Sequence, residues 1–188
     1  MKAMKAKIIA ALTLLVVATL GGCRGSSDSI TTQGESRQAA TPMGFSASYI
    51  RTDGYHEDVR YPVVTVITAQ NQLEEYYTAH KDRYFLERQT STAPNAALGF
   101  LDMADKYDDT YFEDHTLVLI LTQESSGSVR YELTKVTQNS DAVDVTVRRD
   151  VPRTGTADMA QWHIFLELDK AQHKGAKVRV TFETQALG

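Results

Sequence analysis

Leu117-Val118-Leu119-Ile120-Leu121, then Ser125-Ser126-Gly127, then Val129-Arg130-Tyr131-Glu132-Leu133, decide the fold class of this chain. The first segment offers no polar side to solvent, so it predicts a central strand buried on both faces. The small residues after it turn the chain. The last segment alternates apolar and polar side chains, the mark of a strand with one dry and one wet face. Three segments downstream alternate the same way, with Val143, Val145 and Val147, then Trp162, Ile164, Leu166 and Leu168, then Val178, Val180 and Phe182. Gln138-Asn139-Ser140-Asp141 supplies the hairpin joining the Tyr131 strand to the Val145 strand.

Upstream, Pro62 to Ala69 reads as one more strand, with Pro at its start where no donated bond is needed. Asn71 stands three residues before Glu74, a capping-box pattern. Leu73, Tyr76, Tyr77, His80 and Tyr84 then follow the spacing of one helical face. A second helix is expected after Pro94-Asn95, with Ala97, Phe100, Leu101, Ala104 and Tyr107 as its stripe. Asp108 to Asp114 is a turn or a short helical piece. The sum is an α+β domain: an antiparallel or mixed sheet of about six strands with two helices packed on one face. The other face carries Arg130, Arg148 and Arg179.

The N-terminus has a different grammar. Lys2, Lys5 and Lys7 precede an uncharged apolar run from Ile8 to Leu20, which ends at Gly21-Gly22-Cys23. That order of basic, apolar and small segments reads as a secretory signal. The run is short of the roughly 20 apolar residues that a spanning helix needs. Cys23, the only cysteine of the 188 residues, sits where a bacterial lipobox places its lipidated cysteine. Such a lipobox implies diacylglycerol and acyl chains on Cys23, and two or more chains anchor stably where one is marginal. Residues 24–42 are rich in Ser, Thr, Gly, Gln and Ala, a composition that cannot bury enough to order itself. The expected organisation is therefore a signal peptide over 1–22, a lipidated flexible tether over 23–42, and a single domain over 43–188. The expected location is extracytoplasmic, on the membrane surface.

Net charge is −4, and removal of the three signal lysines makes the chain more acidic still. A nucleic-acid partner is not expected, since phosphates call for a basic stripe. No metal or other cofactor is expected either. His56, His80, His115, His163 and His173 lack the i, i+4 spacing of a helical zinc pair. Asp102, Asp105, Asp108, Asp109, Glu113 and Asp114 crowd together, but without the alternation around a glycine that a calcium loop uses. They read as a solvated acidic face. Ser126, Asp158 and His163 follow the chain order of an α/β-hydrolase triad, which keeps an envelope hydrolase as an alternative. Glu124 stands in the first glycine position of the nucleophile elbow, and Ser125-Ser126-Gly127 is better read as a turn. Tyr76, Tyr77 and Trp162 are the candidates to line a small-molecule or glycan pocket.

Asp150 to Gln161 lacks periodicity and is long for a connection inside a domain, a feature of functional loops. With Trp162-His163 at its end, it makes Arg153, Gly155, Asp158, Trp162 and His163 the candidate partner-binding residues, although Trp162 shares its face with Ile164 and Leu166 and so also reads as a core residue.

From Leu117 to Lys170 the chain resembles the C-terminal domain of the PrcB family of protease-complex subunits. The likeness is carried by the Leu117–Leu121 strand, Ser126-Gly127-Ser128, the alternating strands, Val151-Pro152-Arg153-Thr154-Gly155 and the strand from Trp162-His163-Ile164. Phe112-Glu113-Asp114 and Asp158-Met159-Ala160 extend it to uncharacterised lipoproteins of Gram-positive bacteria. The resemblance implies a lipid-anchored binding module that supports a secreted or surface protease, with no catalytic residues of its own.

Overall fold

Val118 and Ile120 face one way and Leu117, Leu119 and Leu121 the other, and both sets are fully buried. That requires a cover on each side of the strand. The computed structural model, which describes residues 40–52, 56–91 and 97–188, supplies two different covers. β1 (Thr41–Pro42), β2 (Phe45–Thr52) and β3 (Val63–Ile67) precede the helices α1 (Gln70–Tyr84), α2 (Phe100–Ala104) and α3 (Tyr111–Asp114). β4 (His115–Glu124), β5 (Arg130–Gln138), β6 (Ala142–Pro152) and β7 (Ala160–Asp169) follow, and α4 (Lys170–His173) leads into β8 (Lys177–Leu187).

The α+β class holds, with strands dominant. The single six-stranded sheet does not: the strands divide into two four-stranded sheets, ordered β2-β7-β4-β3 and β1-β5-β6-β8. The inner sheet is antiparallel throughout, with Ile120 opposite Ile164 and Leu119 opposite Phe165. In the outer sheet only β6 and β8 run parallel. The sheets stack on Val118, Ile120, Ile164 and Leu166 from one side and Val143, Val145, Val147 and Leu133 from the other. The second core lies between the inner sheet and α1 to α3, on Leu73, Phe100, Met103, Phe112, Leu119 and Phe165. β7 is therefore buried on both faces, where its alternation had suggested one wet face.

The outer face of β5, β6 and β8 is the wet one. There Arg148 pairs with Glu132 and Asp150, and Arg179 pairs with Asp144 at 2.7 Å. A bulge between Leu133 and Lys135 absorbs the extra residue Thr134, which keeps Val136 in phase with Leu133 and inside the core.

Several boundaries shift. α1 starts at Gln70 after Ala69, so Asn71 is not its cap; the Gln72 side chain instead accepts the Thr68 N–H at 2.8 Å. α2 begins only at Phe100, and Pro94-Asn95 lie outside the described residues. The last two residues of the expected tether, Thr41–Pro42, pair with Gln138 and Thr137. Cys23 and the rest of 1–39 lie outside the described residues. Among the described residues no helix is long and apolar enough to cross a membrane.

Candidate functional site

The connection 153–159 is shorter than its sequence suggests, because β6 runs on to Pro152 and β7 begins at Ala160. It lies against the β4–β5 turn and is clasped there. Asp158 accepts the Gly127 N–H at 3.1 Å and the Arg51 guanidinium at 2.6 Å. The Thr156 N–H donates to Ser128 Oγ at 3.1 Å, and the two hydroxyls meet at 3.0 Å. The Thr156 hydroxyl first, then Arg51 and the Gly127 amide, hold the Asp158 carboxyl at a pKa of about 2. Gly127 leaves room for this clasp: a Cβ there would lie 2.2 Å from Asp158 Oδ2 and 2.6 Å from Arg51 Nη1. Gly155 likewise passes close to Ser126, with a would-be Cβ 2.7 Å from Ser126 Oγ.

Beneath the clasp sits a second polar group. Glu124, buried at the end of β4, takes both ends of the Arg149 guanidinium and the Tyr131 hydroxyl. Arg130 donates to Gly127 O at 2.6 Å and lies 5.5 Å from the Trp162 ring. The indole itself is 9% exposed, packed between the sheets, and its N–H has no partner among the described residues. The core reading of Trp162 therefore stands.

Of the five candidate residues, Arg153, Gly155 and Asp158 are at the surface, in one clasped loop. His163 is not with them. It is 0% exposed and faces the helices, because side chains along β7 alternate between the two cores. Its Nε2 is 3.0 Å from the Tyr76 hydroxyl and its Nδ1 is 3.2 Å from Thr52 Oγ1. Thr52 donates onward to Gln161 Oε1, and Gln161 Nε2 donates to the Tyr61 hydroxyl. With the imidazole proton on Nδ1, every link of Tyr76–His163–Thr52–Gln161–Tyr61 is satisfied. Burial, then the charge of nearby His80, pushes the His163 pKa down to about 3, so the ring is neutral at ordinary pH. Tyr84 stands at the centre of the surrounding rings, 5.7 Å from His56, 5.1 Å from His80 and 6.0 Å from His163.

Ser126, Asp158 and His163 are thus not joined by any hydrogen bond. The Ser126 hydroxyl meets Thr156 and accepts the Ser128 N–H, while both His163 nitrogens are engaged on the far face of the inner sheet. Among the described residues no group of His, Cys, Asp or Glu could hold a metal ion. In the acidic cluster, Asp102 accepts the Gln89 and Gly99 amides at 2.8 and 2.9 Å, and Arg88 bridges Asp102 and Asp105.

Tyr76, Tyr77 and Trp162 do not converge on a pocket either. Tyr77 lines an open groove of about 260 Å³ between α1 and α2, with Leu73, Leu101 and Tyr107. Tyr76 is buried beside His163, and Trp162 lies between the sheets.

Sequence reasoning missed two residues that share the loop end. Arg51 belongs to β2, over which the sequence predicts no strand, and Met159 is 41% exposed in the connection. The alternation of Phe45 to Thr52 was the available signal, diluted by Ser46 and Ser48, which carry no apolar mark. No family model, curated protein or solved structure matches this chain at a significant level.

Proposed function

We propose that this chain is a lipid-anchored, extracytoplasmic binding module that presents the loop 153–159 to a protein partner, as an accessory subunit of a surface protease. One structural observation carries the reading. The loop is held at three points, by Asp158 on Arg51, by Asp158 on Gly127, and by Thr156 on Ser128. A surface loop fixed in this way loses little entropy on binding, which is what preorganisation supplies to an interface. It offers an exposed cation at Arg153, which pairs with no described residue, and an apolar contact at Met159, the residue types enriched where binding energy concentrates. The lipobox at Cys23 supports the location, and the PrcB-like segments support the kind of partner.

The test is a crosslinked pull-down of the full lipoprotein from detergent-solubilised native membranes, read by mass spectrometry. A secreted protease recovered in stoichiometric amount is expected, reduced about tenfold by Arg153→Ala with Met159→Ala. Recovery of the protease undiminished by these changes would move the interface elsewhere. A preparation without any protease would remove the accessory-subunit reading. A second reading, a small-molecule or glycan-binding lipoprotein, draws on the groove of Leu73, Tyr77, Leu101 and Tyr107. Its volume is at or below the lower end of ordinary ligand sites, which is why it stands second.

A further inference from the structure

Among the described residues β8 is the longest edge strand, 11 residues from Lys177 to Leu187. The opposite edge of the same sheet is covered: β1 pairs with Thr137 and Gln138, the Met43 N–H donates to Val136 O, and the Tyr49 hydroxyl accepts the Leu133 N–H at 2.6 Å. Among the described residues β8 has no such cover. Beyond β6, its main chain bonds to no described residue. A long row of free N–H and C=O groups is a template for another strand unless something blocks it.

The charges on β8 look at first like the block. Their order argues otherwise. Lys177, Arg179, Thr181 and Glu183 share the outward face, and Val178, Val180 and Phe182 are half-buried on the inward one. A two-fold axis through Thr181, perpendicular to the sheet, keeps outward residues outward in an antiparallel pair. It sets Arg179 opposite Glu183 of the other copy, twice, and Val180 opposite Phe182, twice. Opposite charges and aromatic with β-branched residues are favourable cross-strand pairs. An axis through Phe182 removes the charge pairs. Axes through Arg179 or Glu183 set like charges together, and an axis through Val180 pairs a shorter stretch. Glu183 has no ion-pair partner within its own chain among the described residues, whereas Arg179 also holds Asp144. The seam between the sheets is open beside β8, where Val66 of β3 is 37% exposed.

We propose that the free edge of β8 binds a second copy of this chain, with Thr181 on the two-fold axis, joining two outer sheets into one of eight strands. Such an isologous contact closes on itself and leaves no further edge on that side. It uses other residues than the 153–159 loop, so either proposal can fail without the other.

The test uses the full chain in detergent, with mass read by light scattering over a dilution series. A two-protomer species is expected, weakened about tenfold by Glu183→Arg, which faces Arg179 with a like charge, and restored to within about twofold by Arg179→Glu with Glu183→Arg. Circular dichroism of each variant checks folding. In a second measurement, Thr181→Cys is expected to give a covalent dimer with a short thiol crosslinker, with the parent chain, whose one cysteine is Cys23, as the blank. Lys177→Cys should not crosslink, since the two copies of that position lie about 27 Å apart in this register. A protomer mass at about 100 µM, a dimer indifferent to charge reversal, or crosslinking at 177 but not at 181 would each overturn the proposal.

Discussion

His163 shows how much one side chain depends on its surroundings. It lies fully buried between Tyr76, Tyr84 and Phe100, with both nitrogens bonded, and its pKa is held down to about 3 by burial and by His80. The unfolded chain protonates this ring near pH 6.5, and the folded one does not until far lower. Between those values the unfolded state binds more protons, so stability must fall as pH falls below about 6.5, by up to about 1.4 kcal/mol per pH unit. His80, also shifted down by burial, acts in the same direction. Urea midpoints measured from pH 7.5 to 4.5 should show this slope, and His163→Gln should flatten it while lowering stability at pH 7.5. A wild-type curve flat over that range would mean that the ring is not buried neutral. Asp158 works in another window. Its stabilising effect is present above the ordinary carboxylate pKa and is lost as pH falls toward about 2.

At the scale of elements, short α2 is placed by the chain around it more than by its own propensity. Asp102 gathers the Gln89 and Gly99 amides and the Arg88 guanidinium, and the backbone of 87–89 crosses directly over Gly99. A Cβ on Gly99 would stand 2.4 Å from the Glu87 carbonyl oxygen and 2.6 Å from the Gln89 nitrogen. Both are main-chain atoms, so the clash cannot be relieved by a rotamer change. Gly99→Ala should therefore cost about 1–3 kcal/mol, in the range of overpacked sites. Equilibrium urea unfolding measures this directly, and an unchanged midpoint would show that the 87–89 strap is free to move. The strap also explains why the helical stripe from Ala97 to Tyr107 yields so short a helix. Ala97 and Leu98 are exposed and non-helical, within α2 Phe100 and Met103 are the buried residues, and Tyr107 reaches the core from beyond the helix end.

For the whole molecule, the anchor and the domain are read from different kinds of information. On the proposed lipid anchoring, Cys23→Ser should move the protein from the detergent-rich to the aqueous phase on Triton X-114 partition, because acyl chains on Cys23 would supply the membrane affinity. Partition into detergent by the Ser variant would assign the anchoring to the apolar run itself. Within the domain, local pattern alone identified β3 to β8 in outline, α1, and the α+β class, since period-two and helical spacing are properties of the chain. The 117–121 run correctly announced a strand buried on both sides. What that run could not state was which layer lay on each side. Whether Val118 meets a second sheet and Leu119 a helix depends on where β5, β6 and β8 fold back, and on β1 and β2, whose short or serine-diluted sequences carry little signal. The candidate site divided in the same way. Arg153, Gly155 and Asp158 were legible as an aperiodic connection with turn residues. The separation of Trp162 from His163 was not, because adjacent residues on a strand point to opposite faces, and only the presence of a core on both faces made one an inter-sheet anchor and the other a buried link beneath the helices. Sequence determines periodicity, turn chemistry and the anchor motif, all set within a few residues. Tertiary structure alone decides which faces become interior, because burial depends on groups far apart along the chain.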